Sequence, residues 1–320
     1  MNTIIAFLSL ITTQASAHVG YVVGQKDFAQ HLGRDNHYFF SPLSNGNDLA
    51  MIFATLLGVF VLYFLAWKIK HVRNWIIAIR LRLDTYTDYI PWILRLSLGI
   101  AFIGASVAHV LISPILPVAA FSGIELIIGF SLLSGFLVVP SIILGFILYI
   151  LSLSHSFYIA GNLEIAMALI SLLILGSSRP GIDDLLGIPH LHAEKFKKIV
   201  PFLLRVGIGG SLVFLSLYEK ILNPHVSDLV VQKYHLLGII PVGAAMWVFA
   251  VGIIELFVGL CLLIGFQTRI VTAIAFVVIA TTFFFFKEEV YSHVTLFGIL
   301  SCLFITGGGM WSVDSILKRR

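Results

Sequence analysis

The sequence predicts an all-α integral membrane protein of about nine transmembrane helices, a leading helix followed by two tandem four-helix bundles. Three observations predict it. Hydrophobic residues fill 59% of the 320 positions and charged residues only 11%, and mean hydropathy is +1.01, far outside the range of soluble domains. The apolar residues fall in runs long enough to cross a bilayer. Charged, glycine and proline positions also recur at fixed offsets along the chain.

The recurrence runs as follows. Arg95-Leu-Ser-Leu-Gly99 through Ser113-Pro114 matches Arg205-Val-Gly-Ile-Gly209 through Asn223-Pro224, 110 residues later. Ile124-Glu125-Leu126, Gly129, Leu132-Leu133 and Gly135-Phe136 match Ile254-Glu255-Leu256, Gly259, Leu262-Leu263 and Gly265-Phe266, 130 residues later. Gly176, Asp183 and Leu185-Leu186 match Gly307, Asp314 and Ile316-Leu317, 131 residues later. The step in offset is an insertion of about twenty residues after Pro224, so a four-helix unit present twice is the economical reading.

In chain order, residues 1–17 read as a signal peptide, with apolar Ile4–Ile11 and Ala15-Ser16-Ala17 as the cleavage motif. Residues 18–49 form an external polar segment with turn signals at Ser41-Pro42 and Ser44–Asn47. Residues 50–87 hold the leading transmembrane helix and a basic cytoplasmic loop with Lys68, Lys70, Arg73, Arg80 and Arg82. The first repeat occupies 88–187 and the second 188–320. Spans are expected near 49–67, 92–112, 118–138, 139–153, 163–175, 200–222, 243–266, 270–286 and 291–308.

Alternating sides from a cytoplasmic Lys68–Arg82 places fifteen of the basic residues inside, including Arg95, Arg205 and Arg269. Lys26, Arg34, Lys233 and Lys287 fall outside, and Lys220 stands near an outer helix end. This satisfies the positive-inside rule. It predicts a multi-pass plasma-membrane protein with its mature N-terminus outside and its C-terminus in the cytoplasm.

That topology puts His18, His31 and His37 outside. Cleavage after Ala17 would leave His18 with an α-amine beside its imidazole, a chelate suited to copper(II), so these three are the candidate metal ligands. The alternative is that they are solvated loop histidines, since no close H-x-H or H-x₃-H pair occurs among them. The inner His190-Leu-His192 pair is a weaker metal motif. Cys261 and Cys302 both fall in apolar helices and suggest no disulfide framework.

The ionisable residues in or beside spans carry the stronger signal: Glu125, Glu164, Glu219, Lys220 and Glu255, with His109 at the position matching Glu219. Arg205 and Glu219, fourteen residues apart, mark the two ends of one helix stripe. Glu219 and Lys220 point about 100° apart on an α-helix. Lys220 is therefore expected to meet a carboxylate from a neighbouring helix, Glu255 first. One reading is a set of buried ion pairs that hold the bundle together. The other is a pocket that binds a quinone and moves protons, because Glu, His and Lys can bond quinone carbonyls and deliver hydrogen ions.

Arg205, Gly209, Glu219-Lys220, Pro224, Glu255, Gly259, Leu262-Leu263-x-Gly265-x-x-Thr268-Arg269 and Gly307-Gly-Gly309…Ser312-Val-Asp314 resemble the DoxX/DoxD family of small four-helix membrane proteins. The resemblance covers about 200–320 well and 90–187 more weakly. One branch is the membrane subunit of thiosulfate:quinone oxidoreductase, which passes electrons from thiosulfate to a quinone beside an externally exposed partner subunit. The resemblance thus implies a redox subunit drawing on the quinone pool, with Glu255, Glu219, Lys220 and Arg269 as catalytic candidates. Glu125, His109 and His293 are the cofactor-binding candidates. The rival expectation is a non-catalytic membrane subunit that holds copper on its external histidines or anchors a larger complex.

The first repeat departs from the second, with His109-Val110 where the second has Glu219-Lys220 and Val138-Val139 where it has Thr268-Arg269. The second repeat is therefore the expected active one. G-x-S-x-G, C-x-x-C, Walker A and H-E-x-x-H motifs are all absent from the sequence. No basic stripe interleaved with aromatics marks a nucleic-acid surface.

Overall fold

The computed structural model describes residues 25–176, 181–188, 194–286 and 289–317. The signal peptide, His18 and the His190/His192 pair lie outside the described residues. Those described form helices and turns with no strand. The protein is an all-α integral membrane protein. Among the described residues seven helical stretches are long and apolar enough to cross a membrane, and two shorter apolar helices, Ala119–Ser134 and Val290–Thr306, fall where two further spans were expected.

Two short helices, α1 (Gln25–Gln30) and α2 (Asn36–Phe40), precede the leading helix α3 (Gly46–Lys68). Outside its ends α3 buries almost nothing in the protein, so lipid is the solvent for its sides. The basic stretch expected as a loop is instead helix α4 (Lys70–Leu83). Its residues are mostly good helix formers, with no glycine or proline to interrupt them.

The first bundle comprises α5 (Ile90–Val107), α6 (Ser122–Ser134), α7 (Val138–His155) and α8 (Leu163–Leu175). A short helix α9 (Ile182–Leu185) follows. The second comprises α10 (Val200–Leu215), α12 (Ala244–Ile264), α13 (Thr268–Phe286) and α14 (Val290–Thr306), closed by α15 (Val313–Leu317). The twenty-residue insertion includes α11 (Pro224–Lys233), whose mean hydropathy is too low for a span.

Within each bundle the first two helices cross on glycines. A Cβ on Gly99 would meet Leu133 Cγ at 2.8 Å and Gly129 O at 3.0 Å; one on Gly209 would meet Gly259 O at 2.8 Å. Backbones approach this closely only where side chains are missing, the usual way helices associate in lipid. The two bundles also exchange partners. The fourth helix of each packs extensively against the first helix of the other, α8 on α10 and α14 on α5, burying Leu98, Leu169, Leu204, Ile208 and Leu300 in one continuous core.

The turn between second and third helices has the same build twice. Gly135 and Gly265 adopt left-handed backbone, as do Leu137 (φ 50°) and Gln267 (φ 49°). Left-handed Leu and Gln are costly, and a carboxylate holds each. Asp183 accepts the Leu137 and Val138 N–H groups at 2.8 and 3.1 Å; Asp314 accepts those of Gln267 and Thr268 at 2.8 and 2.9 Å. An arginine closes both turns, since a Cβ would meet Arg95 Nη1 at 2.8 Å on Gly135 and Arg205 Nη1 at 2.6 Å on Gly265.

Candidate functional site

Helix α10 does not end as an α-helix. It runs into a π-helical stretch, Ser216–Leu222, which Asn223-Pro224 terminates, since proline cannot continue the ladder. Wide turns of this kind are frequent at functional sites. This one alters the expected divergence of Glu219 and Lys220. The flexible lysine stem brings Nζ to 2.9 Å from Glu219 Oε2, its own neighbour, as well as to 2.8 Å from Glu255 Oε2 on α12. One ammonium therefore joins two carboxylates.

Glu219 and Lys220 are buried, while the Glu255 side chain keeps 18% exposure on a helix whose neighbouring Ile254 and Phe257 face outward. The other Glu219 oxygen accepts the Tyr158 hydroxyl from the first bundle. Ser227 Oγ donates to the Glu219 carbonyl at 3.0 Å, and Ser216 Oγ to that of Gly252 at 2.8 Å. Gly252 leaves room for two neighbours: a Cβ there would stand 3.1 Å from Lys220 Cβ and 3.1 Å from a ring carbon of Phe39.

Phe39 is wholly buried and belongs to α2, so the segment before the leading helix covers one side of the cluster. Asp35 caps α2 by accepting the Tyr38 N–H at 2.8 Å, and its other oxygen meets His225 Nε2 on α11 at 3.0 Å. The Tyr38 N–H, then His225, hold the Asp35 carboxyl below its ordinary 3.8. Burial, with Asp228 nearby, pushes the Tyr38 hydroxyl up.

The remaining candidates are dispersed. Arg269 belongs to the opposite end of the bundle, where Nη2 binds Asp84 at 2.7 Å and the Ile305 carbonyl at 2.5 Å. The nine residues from Glu255 to the end of α12 span about 14 Å before the chain turns towards Arg269. Glu125 is fully buried and accepts the Ile112 N–H at 2.8 Å. Val110, at the position matching Lys220, is buried and apolar, so the first bundle has no ammonium there. The exposed His109 ring stands 3.5 Å from Ser122 Oγ, and buried His293 has Nδ1 2.8 Å from Ser292 Oγ. His31 Nδ1 is engaged with the Asp27 carbonyl at 2.8 Å. Among the described residues no group of three or more His, Cys, Asp or Glu converges to hold a metal.

Tyr158 and Phe39 were not among the residues expected at the site. Both come from parts of the chain outside the second repeat, and neither follows the repeat pattern.

The cluster lies on α10, its π-helical end and α12, within residues 200–288, and that stretch matches the DoxX family model. Over those residues the chain is similar to the DoxX family, and its apolar helices are those of a membrane protein. Neither the curated proteins nor the solved structures compared with the chain gave a match. The DoxX match takes in Glu219, Lys220, Glu255 and Arg269 and stops before α14; Tyr158 comes from outside it.

Proposed function

We propose that this chain is a quinone-interacting subunit of a plasma-membrane redox system, with Glu219, Lys220, Glu255 and Tyr158 as its quinone- and proton-handling site. The observation that carries this reading is one buried ammonium shared by two carboxylates beside a lipid-facing helix. Two carboxylates against one cation leave the cluster with either a net negative charge or one proton to hold, which is the property a proton-coupled site needs.

Lys220 has three N–H donors. Two are engaged by Glu219 and Glu255, and the third is available to a carbonyl oxygen. Glu255, the most exposed of the three, exchanges protons, while Glu219 is fixed by Tyr158 and Lys220 and orients the ammonium. A bound quinone would supply the two-electron chemistry. Phe39 limits water on one side, and the open face of α12 leaves a route from lipid. The electron donor is a small external molecule, with a sulfur compound the first candidate, presented by a partner subunit. In this orientation residues 25–45 and α11 face outward and Arg95, Arg205 and Arg269 stand at the cytoplasmic end.

The test is equilibrium binding of a short-chain ubiquinone analogue to the detergent-solubilised protein, alongside Glu255→Gln and Lys220→Met. Wild-type binding that weakens at least tenfold in a folded variant supports the proposal. A wild-type protein that does not bind the analogue ends it.

A further inference from the structure

Glu164 plays no part in the cluster above, yet it is the other carboxyl buried at the seam between the bundles, with 1% of its surface exposed. It belongs to the first turn of α8, which crosses α10 at Gly207. A Cβ on Gly207 would stand 3.1 Å from Glu164 Cα, so the crossing pins this carboxyl to α10. Ser211, one turn further along α10 and eleven residues from its start, lies about 16 Å into the span.

The groups facing Glu164 come from four elements. Ser211 Oγ on α10 is 2.5 Å from Oε2, and Asn162 Nδ2, just before α8, is 3.4 Å from Oε1. Tyr149 on α7 and buried His293 on α14 stand within electrostatic reach. Among the described residues no lysine or arginine forms an ion pair with it. A carboxylate so deep in a membrane protein, with no lysine or arginine paired to it among the described residues, is costly unless it can bind a proton.

The hydrogen-bond geometry serves both states. Ser211 Oγ also lies 3.0 Å from the Gly207 carbonyl. When Glu164 is ionised, the serine hydroxyl donates to Oε2. When Oε2 carries a proton, that O–H donates to Ser211 Oγ and the serine hydrogen turns to the Gly207 carbonyl. Rotation about one C–O bond satisfies either arrangement, and no buried polar atom of the pair loses its partner.

We propose that Glu164 is a proton-binding site at the seam of the two bundles, a carboxyl that takes up and releases one proton with Ser211 as its reversible hydrogen-bond partner. The proton comes from the aqueous phase and forms one O–H bond on Oε2; nothing is oxidised or reduced. The proposal does not depend on quinone binding.

Infrared spectroscopy of the full chain in lipid nanodiscs over a pH series tests it, reading the carbonyl stretch of protonated carboxylic acids. The expected result is a band that Glu164→Gln removes, that Glu125→Gln leaves in place, and whose amplitude falls as pH is raised. Spectra of wild type and Glu164→Gln that coincide at every pH overturn the proposal, as does a Glu164 band of constant amplitude. Should Glu164→Gln fail to fold, Ser211→Ala decides: loss of the hydroxyl moves the band to higher wavenumber, and an unmoved band overturns the role given to Ser211.

Discussion

The Tyr158 hydroxyl of the first bundle donates its hydrogen to the Glu219 carboxylate of the second. The site within the DoxX match is therefore completed by a residue from outside it. Losing a hydrogen bond to a buried charged group costs on the order of 1–3 kcal/mol. Tyr158→Phe is expected to lower the thermal midpoint in detergent by that equivalent and, under the proposed function, to weaken quinone binding. A variant matching wild type in both would remove Tyr158 from the site.

Lys220→Met leaves buried Glu219 and partly exposed Glu255 without their common cation. Breaking such a group by deleting one partner costs roughly 3–5 kcal/mol. The double variant with Glu255→Gln should recover part of that loss, because a neutral amide needs no counter-ion. Thermal unfolding of the four proteins gives the coupling, and strictly additive effects would mean that Lys220 and Glu255 do not interact.

The Gly209–Gly259 crossing is tight enough that a Cβ on Gly259 would stand 3.0 Å from Val213 N and 3.1 Å from Gly209 O. Gly259→Val is expected to destabilise by about 1–3 kcal/mol, whereas Gly58→Val on α3, where a Cβ meets nothing within 4 Å, should be close to neutral. Equal effects at the two positions would show that the crossing is not close-packed.

Asp314 holds the left-handed Gln267 and the first N–H of α13. Asp314→Asn keeps only one carbonyl oxygen for two donors, so a loss of about 1 kcal/mol is expected. Hydrogen exchange should speed up at Gln267 and Thr268 first. Unchanged protection there would mean that the carboxylate is not what holds the turn.

The folded value of Asp35 lies below its unfolded one, so its contribution to the α2 cap is complete above the unfolded value of 3.8 and is lost as pH falls through the folded value. Asp35→Asn should remove that acid dependence. Exchange of the Tyr38 N–H against pH reads it directly, and identical profiles for the two proteins would discount the cap.

Much of this fold was legible because its determinants repeat. Arg95 and Arg205, Gly135 and Gly265, Asp183 and Asp314 were paired by offset alone, and each pair makes the same contacts. That parallel supports the proposed duplication of a four-helix unit. The Lys220–Glu255 contact was also legible, since a buried ammonium in lipid needs a carboxylate. The Glu219–Lys220 contact was not, because it depends on a π-helical turn and an α-helical wheel assumes a constant 100° step. Tyr158 and Phe39 were hidden for another reason. They reach the cluster through packing between distant segments, and hydrophobic periodicity reports which face is buried but not what covers it. Arg269 matched the motif yet works at the far end of the bundle, where a helical span separates residues close in sequence.

The exchange of fourth helices also sets an order of assembly. Tyr291 on α14 fills the space against Gly104 on α5, and Ser97 fills that against Gly298, so α5 acquires its last neighbour only after 187 further residues have been made. At about 5–20 residues per second that is a wait of roughly 10–40 s, during which the Ser97–Gly104 face of α5 stands in the bilayer unmated. Synthesis of the first bundle therefore ends before its folding can, and α14 is the piece that locks both halves at once.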